Sequence, residues 1–174
     1  MNIIADSLTL ARGVLVLCIL IIGITHGVKS LPTIAILTIL CWITDVLDGK
    51  LASQSLKPTR FGRFDLAADI GLTIALALCL ILWEIIPAFP AIIVLIIALL
   101  SSIFFQFSAP RKLAMGLVYG LFTLSLWQRD PSWVWVVFGG SVLLVFINPE
   151  GSKRQESDFL SEVGSAFKND KPKL

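Results

Sequence analysis

Charge is what this sequence has least of. Lysine, arginine, aspartate and glutamate make up 15% of its 174 residues, against about 25% in an ordinary soluble domain. With 56% of residues hydrophobic and a mean hydropathy of +0.89, the composition argues against a water-soluble fold. Alternation of apolar and polar residues is missing as well, which removes a membrane β-barrel. The three cysteines, Cys18, Cys41 and Cys79, stand far apart inside apolar runs. That pattern fits packed thiols and neither a disulfide framework nor a zinc site. The single histidine, His26, lies with Gly27 and Lys29 at the far end of the first apolar run and reads as an interfacial residue. No basic segment precedes that run and no small-residue cleavage site follows it, so a retained helix is expected there rather than a signal peptide. An inverted repeat of the kind secondary transporters carry is also missing, and no nucleic-acid partner is expected.

What the sequence does have is long apolar runs. A membrane helix needs about 20 mainly apolar residues, and the chain has room for six: 8–28, 31–48, 65–86, 88–107, 112–127 and 133–147. The expected fold is an all-α integral membrane bundle of six transmembrane helices over residues 1–147. A polar tail follows over 148–174, with a short surface helix around 159–167. Pro32, Pro87, Pro90, Pro110 and Pro131 fall in the connections, where a missing amide donor costs least. With the N-terminus cytoplasmic, one side collects Arg12, Lys50, Lys57, Arg60, Arg63, Arg111, Lys112 and the basic tail. The other side keeps only Lys29 and Arg129. Basic residues favour the cytoplasm, so both termini are expected inside a plasma or inner membrane. Trp83, Trp127, Trp133 and Trp135 then fall near the outer ends of the spans, as an aromatic belt would, and Glu84 reads as an interface residue there.

Four aspartates break this pattern. Asp45 and Asp48 close the second apolar run; Asp65 and Asp69 open the third. Spacings of three and four place each pair on one helix face, with Cβ atoms roughly 5–6 Å apart. Like charges that close repel, and an aspartate at the bilayer centre costs about 2.5–3.5 kcal/mol on insertion scales. Helix capping or solvated interface charge accounts for one or two such residues, but four at this spacing call for a cation. An all-oxygen cage suits Mg²⁺ or Mn²⁺, and a pair of ions about 3.5–4 Å apart would clamp a phosphoryl group. Gly49, Ala52 and Gly62 keep the approach narrow-walled, so that a diphosphate can come close to the backbone. Lys50, Lys57, Arg60 and Arg63 make the connecting segment basic, which suits an anionic substrate as well as the positive-inside rule.

These residues resemble the signature of the CDP-alcohol phosphotransferases, D-x-x-D-G-x-x-A-R followed after a spacer by G-x-x-x-D-x-x-x-D. Asp45, Asp48, Gly49, Ala52, Gly62, Asp65 and Asp69 fill its positions. The run S-L-T-L-A-R, with Thr9 and Arg12, is similar to the N-terminal run of phosphatidylglycerophosphate synthases. The chain departs in carrying Ser53 where the signature has arginine, and in having one residue fewer between Gly62 and Asp65. The resemblance implies that Asp45, Asp48 and Asp65 hold metal, and that Asp69 is the general base, itself also touching metal. It implies CDP binding beside Gly49, Ala52 and Gly62. It also implies a phosphatidyl transfer from CDP-diacylglycerol to a small polar alcohol, with glycerol 3-phosphate the best fit and CMP released, on the cytoplasmic face of a homodimer.

Other residues are weaker candidates. Arg12, Lys57, Arg60, Arg63, Arg111 and Lys112 could contact a headgroup or the acceptor's phosphate, and Gln106 and Ser108 could line the acceptor pocket. Two rival readings remain at this stage. In one, Ser53 and the shortened spacing mark a catalytically degenerate relative that binds CDP-lipid or nucleotide. In the other, the aspartates form the ion site of a cation transporter, which their position at helix ends disfavours.

Overall fold

A computed structural model describes residues 2–53, 62–93, 95–96 and 109–147, with side chains for 7–50, 67–93, 95–96 and 112–147. Lys57, Arg60, Gln106, Ser108 and the tail lie outside the described residues, as do the side chains of Ala52, Arg63, Asp65 and Arg111. Among the described residues only helices occur. They are α1 (Asn2–His26), a 3₁₀ turn (Gly27–Ser30), α2 (Leu31–Ser53), α3 (Gly62–Leu82), α4 (88–93 and 95–96), α5 (Ala109–Arg129) and α6 (Pro131–Ile147). Five of the expected runs are therefore helical where described, most of them extended by a few residues at their ends.

The ends follow from local chemistry. Pro131 occupies the first position of α6, where its missing N–H loses nothing. Asp130 caps that helix, its Oδ1 accepting from the Ser132 amide at 3.2 Å as an N-cap carboxylate does. On the other side of that junction, Arg129 lies in the last turn of α5, favourably placed against the helix dipole. The expected third span to residue 86 is corrected: α3 ends at Leu82. Glu84 turns left-handed with φ 57°, and the amides of Glu84 and Ile85 bond back to Ile81 and Leu80, both at 3.0 Å. This is a Schellman cap, a motif that usually places glycine at the left-handed position.

Pairings give the topology. Thr9 meets Asp48 and Arg12 meets Asp45, each pair equally distant from the Gly27–Ser30 turn, so α1 and α2 form an antiparallel hairpin. Arg12 also meets Asp69, and further along Gly23 meets Cys79 and Trp83; α3 thus runs parallel to α1. The helices pack in a closed circuit: α1 on α2, α2 on α6, α6 on α5, α5 on α3, and α3 back on α1. Val16, Ile19, Ile34, Ala35, Leu72, Leu76 and Leu80 fill the interior between α1, α2 and α3, with Phe122 and Leu126 contributed by α5. Glycine allows the two closest approaches. A Cβ at Gly23 would collide with Cys79 Sγ, and one at Gly140 would lie 3.2 Å from Ile39.

Outer faces are as apolar as the core. Leu10, Val14, Leu17, Ile21 and Ile24 form one exposed stripe along α1, at the three-and-four spacing of a single helix face. Such a stripe is unfavourable in water and natural against hydrocarbon. The continuous helical stretch Ser7–Lys50 is long and apolar enough to cross a membrane by length and composition, and 67–82 and 131–147 are shorter apolar helices. That long stretch comprises α1, the turn and α2, and therefore folds back on itself.

The tryptophans divide. Trp127 and Trp135 are exposed and Trp133 is half-buried. Trp83 is buried, and its Nε1 donates to Gly23 O at 3.1 Å. The expectation of a belt position for Trp83 is corrected, because the left-handed turn at Glu84 coincides with an indole locked onto α1. His26 sits exposed at the end of α1, its Nδ1 2.7 Å from Thr25 Oγ1. Lys29 and Arg129 line one cavity of about 240 Å³ with Val28, Leu31, Pro32, Leu126 and Asp130, at the turn end of the hairpin and away from Arg12. All three cysteines are free.

Candidate active site

The helix arrangement brings three of the four aspartates together around one arginine. Arg12 lies on α1 with no exposed surface. Its Nη1 donates to Asp45 Oδ1 at 2.7 Å and to Asp69 Oδ1 at 2.9 Å, and its Nη2 stands 3.5 Å from Asp48 Oδ2. Thr9, one turn earlier on α1, donates from Oγ1 to the same Asp48 oxygen at 2.7 Å. The three-residue spacing of Thr9 and Arg12 thus reads against the three-residue spacing of Asp45 and Asp48 across an antiparallel contact. A charged group buried in an apolar bundle needs a partner, and here the partners come from α2 (Asp45 and Asp48) and α3 (Asp69).

Burial separates the aspartates. The Asp48 side chain keeps 10% of its exposure, whereas Asp45 and Asp69 keep 37% and 39%. Asp48 faces inward toward Thr9 and Arg12, and the other two open to the outside of the bundle. Behind Asp69, Thr73 donates to its backbone carbonyl at 3.0 Å. Tyr119 of α5 lies beside Thr73 and meets Trp42 edge-on, with ring centroids 5.3 Å apart. These contacts tie α2, α3 and α5 together directly beneath the acidic cluster.

The remaining candidates distribute as follows. Gly49 is exposed, and a Cβ built there would meet nothing within 4 Å among the described residues, which leaves room beside its backbone. Ala52 lies in the last turn of α2; Gly62, Arg63 and Asp65 lie in the first turn of α3. Arg111 and Lys112 lie near the start of α5, with Lys112 half-buried. Among the described residues no group of three or more His, Cys, Asp or Glu side chains is arranged to hold a metal ion. Arg12 stands between the aspartates. Their chemistry nevertheless fits a hard divalent cation, since Asp45 and Asp69 present oxygen donors on partly exposed side chains.

In sequence, Arg12 reads as a contact for a phosphate or headgroup and not as the aspartates' cation, and Thr9 stands out only as part of a motif. The signal was present. An arginine within an apolar run demands an acid, and Asp45 and Asp48 mirror Arg12 and Thr9 across the Gly27–Ser30 turn.

A family model described as CDP-alcohol phosphatidyltransferase matches residues 2–147. No curated protein and no solved structure matches the chain.

Proposed function

The chain belongs to the CDP-alcohol phosphatidyltransferase family, and on that premise we propose that it moves a phosphatidyl group from CDP-diacylglycerol to glycerol 3-phosphate and releases CMP. Members of this family are membrane-associated transferases for substituted phosphate groups that serve lipid synthesis, and they generally depend on a divalent metal. The finer reading has the bundle spanning the membrane six times, both termini and the acidic cluster cytoplasmic, and the protein a homodimer. The observation that carries the proposed transfer is the convergence of Asp45, Asp48 and Asp69 at one end of α1, α2 and α3.

In this reading Asp45, Asp48, Asp65 and Asp69 hold Mg²⁺ or Mn²⁺, as two ions. Bound there, the metal supplies positive charge to the substrate's diphosphate. The chain's own groups do the rest. Open backbone at Gly49, with Ala52 and Gly62, admits the CDP moiety. Lys57, Arg60, Arg63, Arg111 and Lys112 attract the acceptor's phosphate. Asp69 takes the proton of the acceptor hydroxyl, whose oxygen bonds to the lipid-bearing phosphorus. The bond from that phosphorus to the bridging oxygen breaks, and CMP leaves with the electron pair. Orientation of the two substrates and charge compensation supply most of the rate in such a transfer.

The test is CMP release by purified protein given labelled CDP-diacylglycerol, Mg²⁺ or Mn²⁺, and a panel of alcohols. Release with glycerol 3-phosphate above the others supports the proposal. Release with another alcohol reassigns the acceptor. Metal-dependent binding of CDP-lipid with no release sinks the enzyme reading; Ser53, at the signature's arginine position, would then mark a binding protein.

A further inference from the structure

Arg12 is a fully buried cation set among carboxylates of two neighbouring helices. Its contacts are unequal. Asp48 is nearly buried; it accepts a hydrogen bond from Thr9 at 2.7 Å and lies at ion-pair distance, 3.5 Å, from Nη2. Asp45 and Asp69 share the single nitrogen Nη1 and keep more than a third of their side-chain exposure. The guanidinium therefore has an inner anchor and an outer pair.

We propose that Arg12 is a resident counter-cation. It holds Asp45, Asp48 and Asp69 together while no divalent ion is bound, and it yields Asp45 and Asp69, while keeping Asp48, when an ion arrives. The inference rests on the metal reading given above. Two cations competing for the same carboxylate oxygens in a site shielded from water repel strongly, so one must give way. The outer pair is the side that an ion reaches from solvent. Asp48 and Thr9 retain the guanidinium on the inner side, so it need not leave the bundle. Arginine suits this work because it stays charged in a buried setting and its rigid fork spans several acceptors, whereas lysine is a point charge. Arg12 is thus a positioning residue: without it, neighbouring carboxylates on α2 and α3 would repel each other in the metal-free protein.

The experiment compares the full-length wild type with Arg12→Met and Arg12→Lys in detergent, by Mn²⁺ calorimetry and by thermal melting in chelator and in Mn²⁺. Arg12→Met should melt below the wild type in chelator and recover most of the difference in Mn²⁺. It should also bind Mn²⁺ about tenfold tighter, a change of one decade in affinity, with Arg12→Lys between the two. Equal or weaker Mn²⁺ binding by Arg12→Met, or an equal Mn²⁺-induced melting shift, overturns the yielding role and leaves the metal site standing. Failure of all three proteins to bind Mn²⁺ overturns the metal reading and this inference with it. If Arg12→Met does not fold, Arg12→Lys decides by the same criteria: tighter Mn²⁺ binding than wild type supports the proposal, and equal or weaker binding overturns it.

Discussion

The two ends of the α1–α2–α3 unit are built on opposite principles. At the turn end, Gly23 lets α3 come against α1, Cys79 fills the contact, and Trp83 closes it with a hydrogen bond to a backbone carbonyl. The groups in that contact are apolar or neutral, and α3 is capped locally at Glu84. At the other end the same helices are joined by charges, with one guanidinium among three carboxylates and the outer two left partly open. Close packing at one end fixes how α1 and α3 lie against each other. The other end can then carry groups whose mutual repulsion would separate helices that nothing else held.

Substitutions at each end should break this contrast in different ways. The largest effect belongs to Asp69→Asn at the charged end. Loss of the proposed general base should lower turnover by about 10²–10⁴-fold while the melting temperature stays near that of the wild type, measured as CMP release alongside a thermal melt. Next comes Arg12→Met. Removing one partner of a buried pair costs about 3–5 kcal/mol, here toward the lower end because Asp45 and Asp69 keep contact with solvent; denaturation in chelator measures it. At the packed end, Gly23→Ala forces Cys79 Sγ to move, at a cost of about 1–3 kcal/mol for overpacking. The double variant Gly23→Ala, Cys79→Ala should recover part of that loss, and CMP release below the melting range should be unchanged in both. Non-additivity of that pair is the direct sign of contact; strict additivity would show that the two helices do not meet there. Smallest is Glu84→Gly, which relieves a left-handed non-glycine residue. A gain of up to about 1 kcal/mol is expected in the same melt, with activity unaltered.

Much of this molecule was legible in its sequence, and for identifiable reasons. Apolar runs and prolines located the helices because membrane length and missing amide donors act locally. The aspartates drew attention because their cost is local as well. Trp83 was misplaced since an indole at a helix end looks the same in sequence whether it points to lipid or to a neighbouring carbonyl. The stop at Leu82 was missed because the left-handed residue is Glu84, not the glycine that usually marks such a cap. Arg12's role needed the hairpin register, a tertiary fact, although the mirrored spacing around Gly27–Ser30 hinted at it.

On the six-span reading proposed above, the register of that hairpin also bears on how the chain enters a bilayer. Counted from the N-terminus, Arg12 is made first, and its first acidic partners, Asp45 and Asp48, come on the very next helix. A lone α1 would carry Arg12 without these acids, and a lone α2 would carry Asp45 and Asp48 without Arg12, each a penalty for partitioning into hydrocarbon. Folded together, they carry part of their own neutralisation across with them. The hairpin, rather than either helix, is then the natural unit of insertion, and α3 arrives at a surface already prepared to receive Asp69.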